Sequence, residues 1–169
     1  MRDGVEDRDL GWKKIRAELK LAARSHVTVG IHDDQQHDGG LSTAQVGAFH
    51  EFGLGVPSRP FLSTTIDEQA NEIAKFADKV YFGPILEGRA NARRGLGLLG
   101  EFAQQKVQKT VRDGRSDWPP LAEGTKRKKA STLGGDKAAS FVGGDGNPLI
   151  DTGQLLASIR HKVHIGGVP

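Results

Sequence analysis

Between Val46 and Leu62 the chain reads VGAFHEFGLGVPSRPFL, and this stretch narrows what the rest can fold into. Pro57 and Pro60 lack amide protons, and each pushes the residue before it out of the helical region, so this part must run extended. The helix ahead of it is announced by Ser42-Thr43-Ala44-Gln45, which has the form of a capping box. There the serine hydroxyl accepts from the amide three residues on, while Gln45 reaches back to the Ser42 amide. Val46, Phe49 and Phe52 are expected on one side of this helix, which stops at Gly53, a natural left-handed terminator. Arg59, held between two prolines on a stiff backbone, loses little entropy when a partner fixes it.

Upstream, residues 9–24 place Trp12, Ile15, Leu19 and Ala22 at helical spacing, with Lys and Arg opposite, and predict an amphipathic helix. From His26 the period changes to two: Val27, Val29 and Ile31 alternate with Thr28 and Gly30, the pattern of a half-buried strand. Asp33 to Gly40 is polar and reads as a loop. Downstream, Thr65-Ile66-Asp67-Glu68 is a second capping-box pattern. The helix it opens buries Ile66, Ala70, Ile73, Ala77 and Val80 and is expected to end at Gly83-Pro84.

Residues 85–112 are helical in character with Leu99, Ala103, Val107 and Val111 inside. Gly88, Gly95, Gly97 and Gly100 each cost about 1 kcal/mol against alanine in a helix, which predicts a break or a close helix–helix approach there. Asp113 to Asn147 reads as a long loop, functional or ordered by a partner. Asp151-Thr152-Gly153-Gln154 is a third cap, with Asp151 as N-cap, and His161, Val163 and Ile165 predict a closing strand.

Composition bounds the class. The 169 residues suffice for one domain, 1–169, with its own core. Yet only 36% are hydrophobic, 23 are glycine, and the mean hydropathy is −0.46. Such a lean chain has a modest core and long loops, or completes its burial against neighbours. With no cysteine there is no disulfide or thiolate chemistry, as for folding in a reducing cytoplasm. The charged Met1-Arg2-Asp3-Gly4 start and the lack of a long apolar run predict a soluble protein with neither signal peptide nor membrane span. A net charge of +3 does not by itself make a nucleic-acid face.

Four motifs invite a chemical reading. Gly95-Leu96-Gly97-Leu98-Leu99-Gly100 matches the dinucleotide fingerprint, but the residues before it, Arg89 to Arg94, are charged and helix-favouring where a buried strand is required. Asp151-Thr152-Gly153 is the triplet of aspartic proteases, which need two carboxylates sharing a proton, hence a homodimer here. Helical spacing after Gln154 favours the capping role instead. The six histidines form no HExxH, His32 and His37 lack a third ligand in sequence, and His50-Glu51 reads as a polar edge rather than an acid–base pair. Lys126-Arg127-Lys128-Lys129 is a charge run able to contact phosphate, although no aromatics interleave with it for base stacking.

Taken as a set, these stretches resemble a known family. VGI (Val29 to Ile31), HEFG (His50 to Gly53) and PSRPFL (Pro57 to Leu62) resemble the first half of the tail-completion, or neck, proteins of tailed bacteriophages. WPPLAEGTKRKK (Trp118 to Lys129) and PLIDTGQLLASI (Pro148 to Ile159) resemble the second half, shared with related virion-morphogenesis proteins. Order and approximate spacing match over residues 27–160.

The resemblance implies a non-enzymatic virion protein at the head–tail junction, present in the host cytoplasm during assembly, without cofactor or metal. Its implied partners are further copies of itself in a ring, a tail terminator or tail tube protein, and the head connector or adaptor proteins. No membrane contact is implied. The residues that would carry the interfaces are His50, Glu51, Phe52, Gly53, Arg59, Pro60, Phe61, Trp118, Asp151, Thr152 and Gly153. Phe52, Arg59 and Phe61 are the expected anchors, and the Asp113–Asn147 loop is expected to be mobile in the free subunit and to order against the adjoining ring. Lys126, Arg127, Lys128 and Lys129 would meet DNA in the channel. The competing readings are a homodimeric aspartic-type protease using Asp151 and a DNA-binding accessory factor using the Lys126–Lys129 cluster.

The expected fold class is α+β: a small, mostly antiparallel sheet, including Val27–Ile31 and His161–Ile165, packed by two to four helices, in a ring-forming subunit. A third strand is expected near Phe141-Val142 or from a neighbouring chain.

Overall fold

A computed structural model describes residues 9–32, 40–127, 149 and 153–166. Among them are six helices and a two-stranded antiparallel sheet, an α+β arrangement. No helix among the described residues is long and apolar enough to cross a membrane. Asp33 to Gln36, Phe141-Val142, Asp151, Thr152, Lys128 and Lys129 lie outside the described residues, so the loop, the third strand and part of the cap expected there do too.

Helix α1 spans Trp12–Ala22 and opens at Gly11 in the left-handed region, where the Asp9 carboxylate accepts the Gly11 amide at 3.1 Å. Strand β1 follows at His26–Ile31. Helix α2, Thr43–Phe52, carries the full capping box: Ser42 Oγ accepts the Gln45 amide at 3.1 Å and Gln45 Oε1 accepts the Ser42 amide at 2.8 Å. It ends at Gly53, φ 71°, as the sequence required.

Helix α3, Ser63–Ala77, starts three residues earlier than the second capping-box pattern, with Thr65 as N-cap, predicts. Thr65 is therefore inside the helix and 2% exposed, its hydroxyl donating to the Phe61 carbonyl and lying 2.8 Å from the Thr110 hydroxyl. Nor does Gly83-Pro84 end the helical run. Asp78–Phe82 winds as a π-helical stretch closed by the Gly83 amide on the Asp78 carbonyl, and α4, Gly83–Leu86, continues directly. Pro84 has no amide to bond back and its ring crowds the carbonyl four residues earlier; a wider turn ahead of it relieves both demands. The extra residue also shifts the helical phase, and Tyr81 in this stretch is buried, while Ala70, expected inside, is exposed.

The break comes at Gly88, φ 68°. Helix α5, Ala92–Asp113, then begins with two caps: Asn91 Oδ1 accepts the Arg94 amide, and Glu18 of α1 accepts the Ala92 amide at 2.8 Å. Gly95, Gly97 and Gly100 all lie within it. Helix α6, Gln154–Ser158, is capped by Gly153, φ 78°, without a side-chain bond, which moves the N-cap two residues past Asp151. It leads directly into β2, Ile159–His164.

Contacts divide the chain into two compact units interleaved along the sequence: Met1–Thr28, Asn71–Phe102 and His161–Pro169 in one, Val29–Ala70 and Ala103–Arg160 in the other. In the first unit Tyr81, Ile85, Ala92 and Leu96 form a core covered by Leu19, Ala22, Val27 and Val163. Two glycines permit the close approaches there. A Cβ at Gly95 would sit 2.9 Å from Tyr81 Cα, and one at Gly100 would sit 2.6 Å from Val27 Cγ2. Trp12, expected inside, is 60% exposed, which corrects the inner face of α1 to Ile15, Leu19 and Ala22. In the second unit Phe61, Val107, Val111, Trp118, Leu149, Leu155 and Ile159 pack together under Val29 and Ile31.

Candidate interaction site

The second unit gathers the residues singled out by sequence. At its centre Glu51, near the end of α2, turns its carboxylate to the start of α3, where it accepts the amides of Leu62 and Ser63 at 2.9 and 2.8 Å and the Ser63 hydroxyl. The first amides of a helix have no partners of their own, so one acidic side chain both caps α3 and ties it to α2. The extended segment between them is pinned as well. The Arg59 amide donates to the His50 carbonyl at 2.7 Å, and Ser58 Oγ donates to the Glu51 carbonyl. A Cβ at Gly53 would lie 3.0 Å from Ser58 Cβ, so the glycine serves this approach as well as its left-handed φ.

Arg59 turns inward. It is 3% exposed, and its guanidinium donates to the Pro119 carbonyl at 3.1 and 2.9 Å, to Pro120 at 3.2 Å and, at the limit, to Pro57 at 3.5 Å. No carboxylate pairs with it among the described residues, and burial pulls its pKa below the usual value. Proline carbonyls are good acceptors here because prolines build no helix or sheet ladder to occupy them. Phe61 is 2% exposed in the core with Trp118. Arg59 and Phe61 are thus corrected from surface anchors to internal ones: both are already covered by their own chain.

The polar turn after α5 is similarly built from within. Arg115 donates to both carboxylate oxygens of Glu68, at 2.6 and 2.9 Å, and to both of Asp117, at 2.9 Å. These bonds hold the Glu68 and Asp117 carboxyls below their usual pKa and raise that of Arg115. The part of the long loop that is described, residues 113–127, is therefore structured: Gly114 turns it at φ 70°, Trp118 and Leu121 are buried, and residues 123–127 form a helical turn. Of the basic cluster, Lys126 pairs with Glu123 at 3.2 Å, while Arg127 is exposed.

What faces outward is apolar. Phe52 is 72% exposed, with Leu54 and Leu41 also on the surface. Phe52, expected among the anchors, is the one of the three that stays on the surface; the buried side of α2 carries Thr43 and Gly47, and a Cβ at position 47 would lie 2.4 Å from Ile31 Cδ1. A shallow apolar depression of about 180 Å³ runs beside Phe52, lined by Ile31, Ala44, Gly47, Ala48 and Leu62. Pro60 is half-buried and His50 lies in the last turn of α2. No group of three metal-ligating side chains occurs among the described residues.

Sequence reading missed the receiving side of these contacts. It named Arg59 but not the Pro119 and Pro120 carbonyls, and Glu51 but not the α3 amides. The only signal was composition: an arginine and a Pro-Pro pair in separate segments, each poor in ordinary backbone partners. Comparison of the chain with protein-family models, with curated proteins and with solved structures finds no match.

Proposed function

We propose that this chain is a non-catalytic structural subunit of the head–tail junction of a tailed bacteriophage, completing the tail and joining it to the head connector through protein–protein interfaces. The observation that supports this reading is the use made of the motif residues. The stretches that resemble neck proteins meet in one unit, and there each does structural work: Glu51 of HEFG caps the helix after PSRPFL, Arg59 of PSRPFL holds the carbonyls of WPP, and Leu155 of LIDTGQLL packs with Phe61 and Trp118. A set of residues that maintain one another needs no substrate to account for it.

Assembly into a ring has its own support. A head-to-tail ring requires two different surfaces per subunit. Exposed apolar side chains occur in both units: Leu41, Phe52 and Leu54 in one, and Leu10, Trp12, Phe82 and Leu86 in the other. The test is sedimentation and negative-stain imaging of the purified protein, with Phe52→Glu and Trp12→Glu as variants. Rings in the wild type, lost in either variant with the fold intact, are the expected result. A monomer at all concentrations that leaves particle assembly unaffected when deleted would overturn the reading.

A further inference from the structure

Helix α1 carries a charge pattern that packing does not explain. Residues 10–24 hold five cations and one carboxylate, against +3 for the whole chain. At 100° per residue, Lys13, Arg16 and Lys20 fall on one side of the helix, and Arg24 in the turn after it continues the line, an arc of roughly 80° over about 16 Å. All four are exposed, and no side chain among them enters an ion pair or hydrogen bond with another of the described residues. The one carboxylate, Glu18, points away and caps α5 at Ala92. Lys14 is off the stripe too, its Nζ donating to the Gly88 carbonyl at 3.0 Å. Within α1 the arc holds cations alone, which repel one another, and the nearby Asp9 carboxylate is taken up by the Gly11 and Lys13 amides.

We propose that this stripe of Lys13, Arg16, Lys20 and Arg24 binds the phosphate backbone of nucleic acid. Cations stepped along about 16 Å can each meet a phosphate of a backbone carrying one charge per 3.4 Å of axis on each strand. A basic amphipathic helix can also lie on an anionic membrane, but that needs its apolar side free to enter the lipid. Here Leu19, Leu21 and Ala22 pack in the core of the unit, and Ile15 lies beside Gly88. Apart from Leu10 and Trp12 at its start, what this helix leaves exposed is charge and alanine, which suits a polyanion more than a bilayer interior. The contact is sequence-independent, because nothing on the stripe is placed to read base edges. It stands apart from the neck assignment: a chain that binds DNA through α1 but joins no heads to tails keeps one and loses the other.

The experiment is a fluorescence-anisotropy titration of the full chain against a 30-base-pair duplex from 50 to 300 mM salt. Its comparison is the variant carrying Lys13→Gln, Arg16→Gln, Lys20→Gln and Arg24→Gln, with a second variant carrying Lys126→Gln and Arg127→Gln. Wild type is expected to bind with a linear fall of log affinity with log salt. The α1 variant should lose on the order of a hundredfold at 0.1 M salt, with the slope reduced by about 3.6, since each of four phosphate contacts contributes roughly 0.9. Circular dichroism should show the α1 variant folded, because glutamine keeps helix propensity and the four side chains make no ion pair among the described residues. The loop variant should change binding little. No binding by wild type at 50 mM salt, equal binding by the α1 variant, loss confined to the loop variant, or binding of phosphatidylserine vesicles without binding of the duplex would each overturn the proposal.

Discussion

The Glu51 carboxylate accepts the backbone amides of Leu62 and Ser63, so a residue at the end of one helix closes the open start of the next across the two prolines between them. An ordinary N-cap comes from the residue beside the helix and costs about 1 kcal/mol when removed. Here the same side chain also fixes the path of the connecting segment. Glu51→Ala is expected to lower unfolding free energy by about 2 kcal/mol, measured by urea titration. Glu51→Gln, which keeps one carbonyl acceptor, should lose about half of that. A Glu51→Ala variant as stable as wild type would show that the bonds add nothing net.

Arg59 presents the opposite problem: a buried cation surrounded by carbonyls. Arg59→Met keeps much of the stem but leaves the Pro119 and Pro120 oxygens without donors, and unsatisfied buried acceptors cost about 1–3 kcal/mol each. We expect a loss of roughly 3 kcal/mol by denaturant titration. Arg59→Lys should recover only part, since one ammonium cannot reproduce the fork that spans both carbonyls.

Two glycines of one helix should respond with opposite signs. Gly97 has open space where a Cβ would go, so Gly97→Ala is expected to stabilise by about 0.5–1 kcal/mol through helix propensity. At Gly95 the new methyl would meet Tyr81 Cα at 2.9 Å and the Val80 carbonyl at 3.0 Å, backbone atoms that cannot swing aside. Gly95→Ala should therefore destabilise by about 1–3 kcal/mol despite the same propensity gain. Thermal melts of the pair decide it; equal signs would contradict the packing.

Arg115 predicts a pH dependence. Its hydrogen bonds hold the Glu68 and Asp117 carboxyls below their ordinary 4.5 and 3.8. Groups with depressed folded values favour folding above the unfolded values and lose that contribution as pH falls through the folded ones. Arg115 itself stays charged throughout. Arg115→Gln should then melt below wild type at pH 7, and the gap should close as pH falls through the depressed values of the two carboxyls. Both carboxylates are on the surface, so the gap should also shrink in 1 M salt.

The sequence alone was enough for several features governed by neighbours within a few residues, though not for the start of α3 or the run through Gly83-Pro84. The capping box at Ser42 and Gln45, the Gly53 stop, the alternation of β1 and the helical stripe of Leu99 to Val111 rest on local spacing and local hydrogen bonds. The glycines of α5 even signalled that something must come close. What came close was not legible, because Tyr81 faces Gly95 only after a π-helical stretch has shifted the phase, and that shift answers to Pro84 further on.

Tertiary structure alone decided which conspicuous residues face inward. Arg59 and Phe52 sit seven positions apart in one motif, yet the charged one is buried and the aromatic one is exposed. The reason is where acceptors and space lie: carbonyls freed by Pro119 and Pro120 receive the guanidinium, while the close fit of Gly47 against Ile31 turns the other side of α2, with Phe52, to the outside. Both depend on segments distant in sequence. Local spacing therefore finds the elements and some of their ends, and the partners supplied by other elements settle what each side chain does.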